Sequence, residues 1–171
     1  MKVSNLTLSL IAGFLLLFQA SLTPLLALPE LAWPMPYVFF WLLLPFSWPT
    51  RLSLLLATAY GLLLDIVFPP PGLHTFCGLW LWALRKTWLQ TLHPNLPAEW
   101  QASFSIDQLS SGEFLAYALP LTFIHHLLYF TLGRWSLHGT ILLQALLSTI
   151  YTFLWEWLIF ELFLRQKYAR R

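Results

Sequence analysis

Charge is what this chain has least of. Asp, Glu, Lys and Arg make up 9% of its 171 residues, against about 25% in a soluble globular domain. Nine basic and seven acidic side chains are too few to cover a water-exposed surface at this length. A water-soluble domain is therefore excluded. There is a single cysteine, Cys77, which rules out an intrachain disulfide and a cysteine metal cluster. Cys77 reads as a small apolar packing residue.

Enzyme signatures are missing too. The chain has no Gly-x-Ser-x-Gly, no Gly-x-x-x-x-Gly-Lys, no His-Glu-x-x-His and no glycine-rich nucleotide loop. No catalytic, cofactor-binding or metal-ligating residue is nominated, and a non-enzyme with no cofactor is expected. His125 and His126 are adjacent, so they point about 100° apart on a helix and are ill placed to share one metal. Basic residues are too sparse in the one long polar loop for a nucleic-acid partner.

What the chain does have is apolar length. Hydrophobic residues make up 58% and mean hydropathy is +0.68. Crossing a bilayer takes about 20 apolar residues in a helix. Six runs qualify as candidates, at about 6–28, 31–48, 52–68, 73–90, 114–132 and 140–164. The expected fold is an all-α, polytopic membrane bundle of six transmembrane helices forming a single domain over 1–171. The run 31–48 is the weakest of the six. It carries Pro34, Pro36 and Pro45, and a re-entrant segment is its alternative reading. Lys2 and Leu6–Phe18 resemble a signal peptide, but the large Phe18 in Phe18-Gln19-Ala20 makes a poor cleavage site, so an uncleaved first span is expected.

Between the fourth and fifth runs lies the polar segment 91–113, read as a cytoplasmic loop with one short surface helix. Ser105-x-x-Gln108 and Ser110-x-x-Glu113 both match the capping-box pattern, and the second would open the fifth helix. Six spans put Lys2, Arg51, Arg85, Lys86, Arg165, Lys167, Arg170 and Arg171 on one side and Arg134 alone on the other. Positive charge gathers on the cytoplasmic side, so both termini are expected there. The basic tail 165–171 reads as a stop-transfer flank, with attraction to anionic head groups as the alternative.

Two polar features interrupt the runs. Asp65 lies about 21 Å beyond Arg51 along a helix, near the outer end of the third span. Ala57, Gly61 and Asp65 recur every fourth residue and share a face, and the small pair Ala57/Gly61 admits a close helix, of this chain or of a partner. Pro69-Pro70-Pro71-Gly72 then closes a tight outer turn, where His74 or Arg134 would pair with Asp65. On the sixth span Gln144, Ser148, Thr152 and Glu156 form a polar stripe at steps of four, which should face other helices or a partner and not lipid.

Gly61-Leu62-Leu63-Leu64-Asp65, a short turn, and Gly72-Leu73-His74 resemble the core motif of the rod shape-determining protein MreD family. The preceding Pro36-Tyr37-Val38, the chain length and the basic C-terminus are similar to that family as well. The likeness is close only over about forty residues, Pro34–Leu73. The run Pro69-Pro70-Pro71 and the long polar loop depart from it. The resemblance implies a non-enzymatic scaffold of the bacterial cell-wall elongation machinery in the inner membrane. Its implied partners are an MreC-type protein, an MreB-type filament and wall synthases. It also implies a fold similar to the substrate-binding subunits of vitamin transporters, and hence the alternative of a small-molecule-binding transporter subunit lined by Asp65, His74 and Arg134.

Overall fold

Prolines decide where the first third of the chain is helical. The computed structural model describes residues 5–28, 31–95 and 104–164. Helix α1 (Asn5–Ser21) is followed by the single turn α2 (Thr23–Leu26), with Pro24 in its first turn, where a missing N–H costs nothing. The run 31–48 does not form a spanning helix. Trp33, Met35 and Leu44 each precede a proline, and that position disfavours the α conformation. Leu44 has ψ 125°. Helix is confined to α3 (Val38–Leu43), about 9 Å long, flanked by irregular backbone. The expectation of a full helix over 31–48 is corrected on this point.

The remaining helices follow the apolar runs closely. Helix α4 is Thr50–Val67 and α5 is Leu73–Leu92. After a 3₁₀ turn at Ile106–Gln108 come α6 (Ser111–Arg134) and α7 (Gly139–Ile159), and α7 continues into a π-helical turn at Phe160–Leu164. The Ser110/Glu113 capping box forms at the start of α6. The Ser105/Gln108 pattern gives no side-chain cap. The expected surface helix of the loop is instead the 3₁₀ turn, and it is tucked in, with Phe104, Ile106 and Leu109 buried. Among the described residues there is no strand, only an isolated bridge between Leu28 and Ala32.

Helix α4 packs on α5, α5 on α6, and α6 on α7. The cross-contacts run in opposite directions along each pair, Gly61 to Thr75 and Ser53 to Trp82 on one, Thr122 to Glu156 and His126 to Thr152 on another. Both pairs are antiparallel. Phe18 packs on Trp155 and Tyr151 donates to the Leu26 carbonyl, so α1–α2 also run against α7. Through the middle passes the broken segment. Tyr37 lies beside His74, Trp41 beside Gly78, and Leu44 at Arg85. Residues Tyr37–Leu44 are all buried, several completely. The short helix α3, set in the passage that the prolines break, therefore lies in the core.

Leucines cover the outside. Leu6, Leu10 and Leu17 on α1, Leu55, Leu62 and Ile66 on α4, and Leu142, Leu146 and Leu154 on α7 are exposed. Among the described residues three helices are long and apolar enough to cross a membrane: Thr50–Val67, Ser111–Arg134 and Gly139–Leu164. Helix α5 has 20 residues but carries Arg85 and Lys86, and α1 is shorter.

Candidate functional site

An irregular segment inside an apolar bundle leaves backbone N–H and C=O groups without partners, and each costs several kcal/mol in hydrocarbon unless protein supplies one. One group of polar side chains caps the start of α5, and two others meet that need.

The first is the turn between α4 and α5. Gly72 takes φ +85°, the left-handed region, to start α5. The first N–H groups of a helix lack intrahelical acceptors. Asp65 supplies them from the end of α4. Its Oδ1 accepts from the backbone N–H of His74 at 2.8 Å and lies 2.9 Å from His74 Nδ1. Its Oδ2 accepts from the Thr75 N–H at 3.1 Å and from the Thr75 hydroxyl at 2.5 Å. A carboxylate at a helix N-terminus also meets the positive end of the dipole. The side chains of His74 and Asp65 are 3% and 5% exposed, so the pair is sealed. Gly61 permits this closeness, because a Cβ there would stand 2.6 Å from the Thr75 Cα. Ala57 is fully buried on the same face. Of the two expected partners, His74 is the one that pairs with Asp65, and it is buried, not superficial. Arg134 is exposed and bonds neither residue.

The second group is the stripe on α7. Gln144, Ser148, Thr152 and Glu156 are all buried. Ser148 Oγ accepts from the Trp33 N–H at 2.9 Å, and Thr152 Oγ1 accepts from the Met35 N–H at 2.8 Å. These are amide groups of the irregular segment. The chain of bonds continues from Thr152 to His126 Nε2 at 3.1 Å, from His126 Nδ1 to the Thr122 carbonyl at 2.8 Å, and from the Thr122 hydroxyl to Glu156 at 3.0 Å. The carbonyl fixes Nδ1 as the protonated nitrogen of the neutral ring, leaving Nε2 to accept. Gln144 Oε1 and both nitrogens of His125 are buried without a hydrogen-bond partner among the described residues. The His125 ring packs against those of Tyr37 and Trp41.

The third group was not found by sequence reasoning. Arg85, placed by charge counting at the cytoplasmic surface, is only 3% exposed. Its Nη1 donates to the carbonyls of Trp41, at 3.0 Å, and of Leu44. The terminal carbonyls of a helix have no intrahelical donors, and Arg85 supplies them for α3. The Phe46 ring covers its guanidinium at 4.4 Å. Gly78 and Trp41 were missed as well. A Cβ on Gly78 would fall 2.1 Å from Trp41 Cζ2, so the indole lies directly on the α5 backbone. The signal available was the Gly78/Trp82/Arg85 spacing on one face of α5, which carries no hint of its partner. Another indole, that of Trp88, donates to the Ala116 carbonyl at 3.0 Å, the acceptor freed by Pro120 four residues on.

Beside Arg85 opens a cleft of about 510 Å³ between the segment after α3, the start of α4 and the last half of α5. No group of three His, Cys, Asp or Glu side chains suited to a metal occurs among the described residues. The fold and site together define an all-helical protein of membrane character, its polar side chains turned inward onto a broken central segment. Searches of the chain against protein-family models, curated proteins and solved structures find no match.

Proposed function

We propose that this chain is a non-enzymatic membrane scaffold of the MreD type, serving bacterial cell-wall elongation with an MreC-type partner. The observation that carries the reading is the use made of the buried charges. Asp65 holds the start of α5, Arg85 holds the end of α3, and Glu156 is hydrogen-bonded by Thr122. These three serve the fold, and neither of the two acids stands beside the cleft; Asp107 is also buried, and its Oδ1 has no partner among the described residues. The residues that resemble the family motif, Gly61, Asp65 and Gly72, are those that lock the α4–α5 hairpin. In this reading the chain passes the inner membrane six times, the second passage being the broken segment and not a helix, with both ends cytoplasmic.

The faces left for a partner are outward ones. The Ala57/Gly61/Asp65 face is occupied by α5, and the α7 stripe by the central segment. Docking falls to exposed apolar positions such as Leu55, Leu62 and Ile66 of α4, where close helix packing drives association in lipid. The test is a photo-crosslinking side chain at Leu62 of the full chain in its own host. The expected adduct is an MreC-type protein, and depletion of the chain should turn rods into spheres. Normal rods after depletion, with no protein adduct from Leu55, Leu62 or Ile66, would sink the proposal.

A further inference from the structure

The cleft beside Arg85 has an unusual floor. Arg85 is almost fully buried, and its Nη1 donates to the carbonyls of Trp41 and Leu44. The hydroxyl of Tyr117 lies within hydrogen-bonding reach of the same guanidinium. Arg85 therefore holds the end of α3 and also lines the cleft. Lys86, exposed on the next residue, lines the same cleft, as does the hydroxyl of Ser53. Ser53 accepts from Trp82 Nε1 at 2.7 Å, which leaves its own proton free to donate. Among the described residues no Asp or Glu lines the cleft. Two cations and a hydroxyl donor thus line one cleft, with no acid among its described lining residues.

The walls are aromatic and apolar, chiefly Phe46, Trp48 and Trp82. Ligand cavities generally measure about 300–1,000 Å³, so about 510 Å³ is far more than a bare inorganic anion needs. The cleft also sits at the end of α4, a helix long and apolar enough to span. That end belongs at the headgroup level, where indoles and basic side chains gather.

We infer that this cleft binds the phosphate headgroup of an anionic membrane lipid, with Arg85 and Lys86 on the phosphate and the indoles against the glycerol and upper acyl chain. The site requires only that the chain reside in a membrane and does not depend on the scaffold reading. Arg85 here has two roles, one structural and one in binding, so the lipid would fasten the same joint that Arg85 closes.

The experiment uses the purified full chain and native mass spectrometry, with palmitoyl-oleoyl phosphatidylglycerol and phosphatidylcholine as competing probes. Wild type should retain phosphatidylglycerol in clear excess over phosphatidylcholine. Lys86→Gln should lower that retention about fivefold, the factor for one basic contact of ~1 kcal/mol. Arg51→Gln is the control, since Arg51 is exposed at the same end but does not line the cleft; its retention should match wild type. Because Arg85→Gln threatens the fold, it is read only with a helical circular-dichroism check, and Lys86→Gln decides the matter. Equal retention of the two lipids, or equal losses in Lys86→Gln and Arg51→Gln, overturns the inference. Displacement of phosphatidylglycerol by millimolar inorganic phosphate would assign the site to a soluble phosphate and overturn the lipid.

Discussion

Asp65 is a lone acid at the end of an apolar helix, and its geometry explains why a carboxylate is tolerated there. Two of its four contacts are backbone N–H groups that α5 cannot satisfy itself. Asp65→Asn keeps one carbonyl oxygen as acceptor and should lose roughly 1–2 kcal/mol, the range for weakening a helix cap. Asp65→Leu strands both N–H groups and should cost about 1–3 kcal/mol for each. Thermal unfolding in detergent measures both, and equal midpoints for wild type and Asp65→Leu would refute the capping role. Gly78 makes the companion case. Gly78→Ala drives a methyl into the Trp41 ring and should destabilise by about 1–3 kcal/mol, as overpacking does. Adding Trp41→Phe should recover part of that loss; a double variant no better than the sum of the single ones would show that the indole is not the obstacle. The sequence made Asp65 and Gly61 conspicuous because acids and small-residue spacings are rare and costly in lipid. For Gly78 it held only the spacing with Trp82 and Arg85, which does not point to Trp41.

At the scale of elements the central relation is between α7 and the segment 31–37. The stripe at steps of four was visible in the sequence, and so were the prolines that break the second run. That the two belong together was not, because Ser148 and Trp33 are 115 residues apart. A polar stripe announces that a helix avoids lipid, not what it faces. Ser148→Ala and Thr152→Val remove the acceptors for the Trp33 and Met35 amides while nearly preserving shape. In hydrogen exchange those two amides should lose protection in the double variant, with α4 and α5 unchanged. Unaltered protection at both positions would mean that the hydroxyls are incidental. The same variants should cost about 1–3 kcal/mol per stranded amide. The π turn and the capping box of α6 illustrate the opposite case. Ser110 and Glu113 are three residues apart, so their pairing was readable directly, whereas Glu161 meets Ser111 only through the fold.

At the scale of the molecule the question is which end faces the cytoplasm. The α4–α5 turn and the α6–α7 turn lie at one end, the cleft at the other. Arg85 drops out of the charge count because it is buried, while Arg51, Lys86 and Arg134 remain exposed. Lys2 and the tail 165–171, which carried much of the charge asymmetry, lie outside the described residues. The buried Cys77 is a convenience here, since it should not react with bulky maleimides. On intact spheroplasts a membrane-impermeant maleimide should label Leu137→Cys at once and Lys86→Cys only after permeabilisation. Labelling of both from one side would break the proposed topology, and the reverse pattern would invert it.

Composition and periodicity alone determined that the chain is helical and of membrane character, where its long helices start and stop, and that Asp65, Gly61 and the α7 stripe are special. Those properties follow from local rules: the cost of charge in lipid, the spacing of a helical face, and the backbone limits of proline and glycine. Only the tertiary structure decided what each special residue answers to. Prolines at 34, 36 and 45 forbid a second spanning helix, but a backbone that cannot bond to itself must be bonded by something. Which side chains do so depends on contacts more than forty residues apart in sequence, and for the α7 hydroxyls more than a hundred. Arg85 was read as a surface charge for that reason. Its helix position was plain, but the open carbonyls at the end of α3 that draw it inward exist only once the bundle has closed around them.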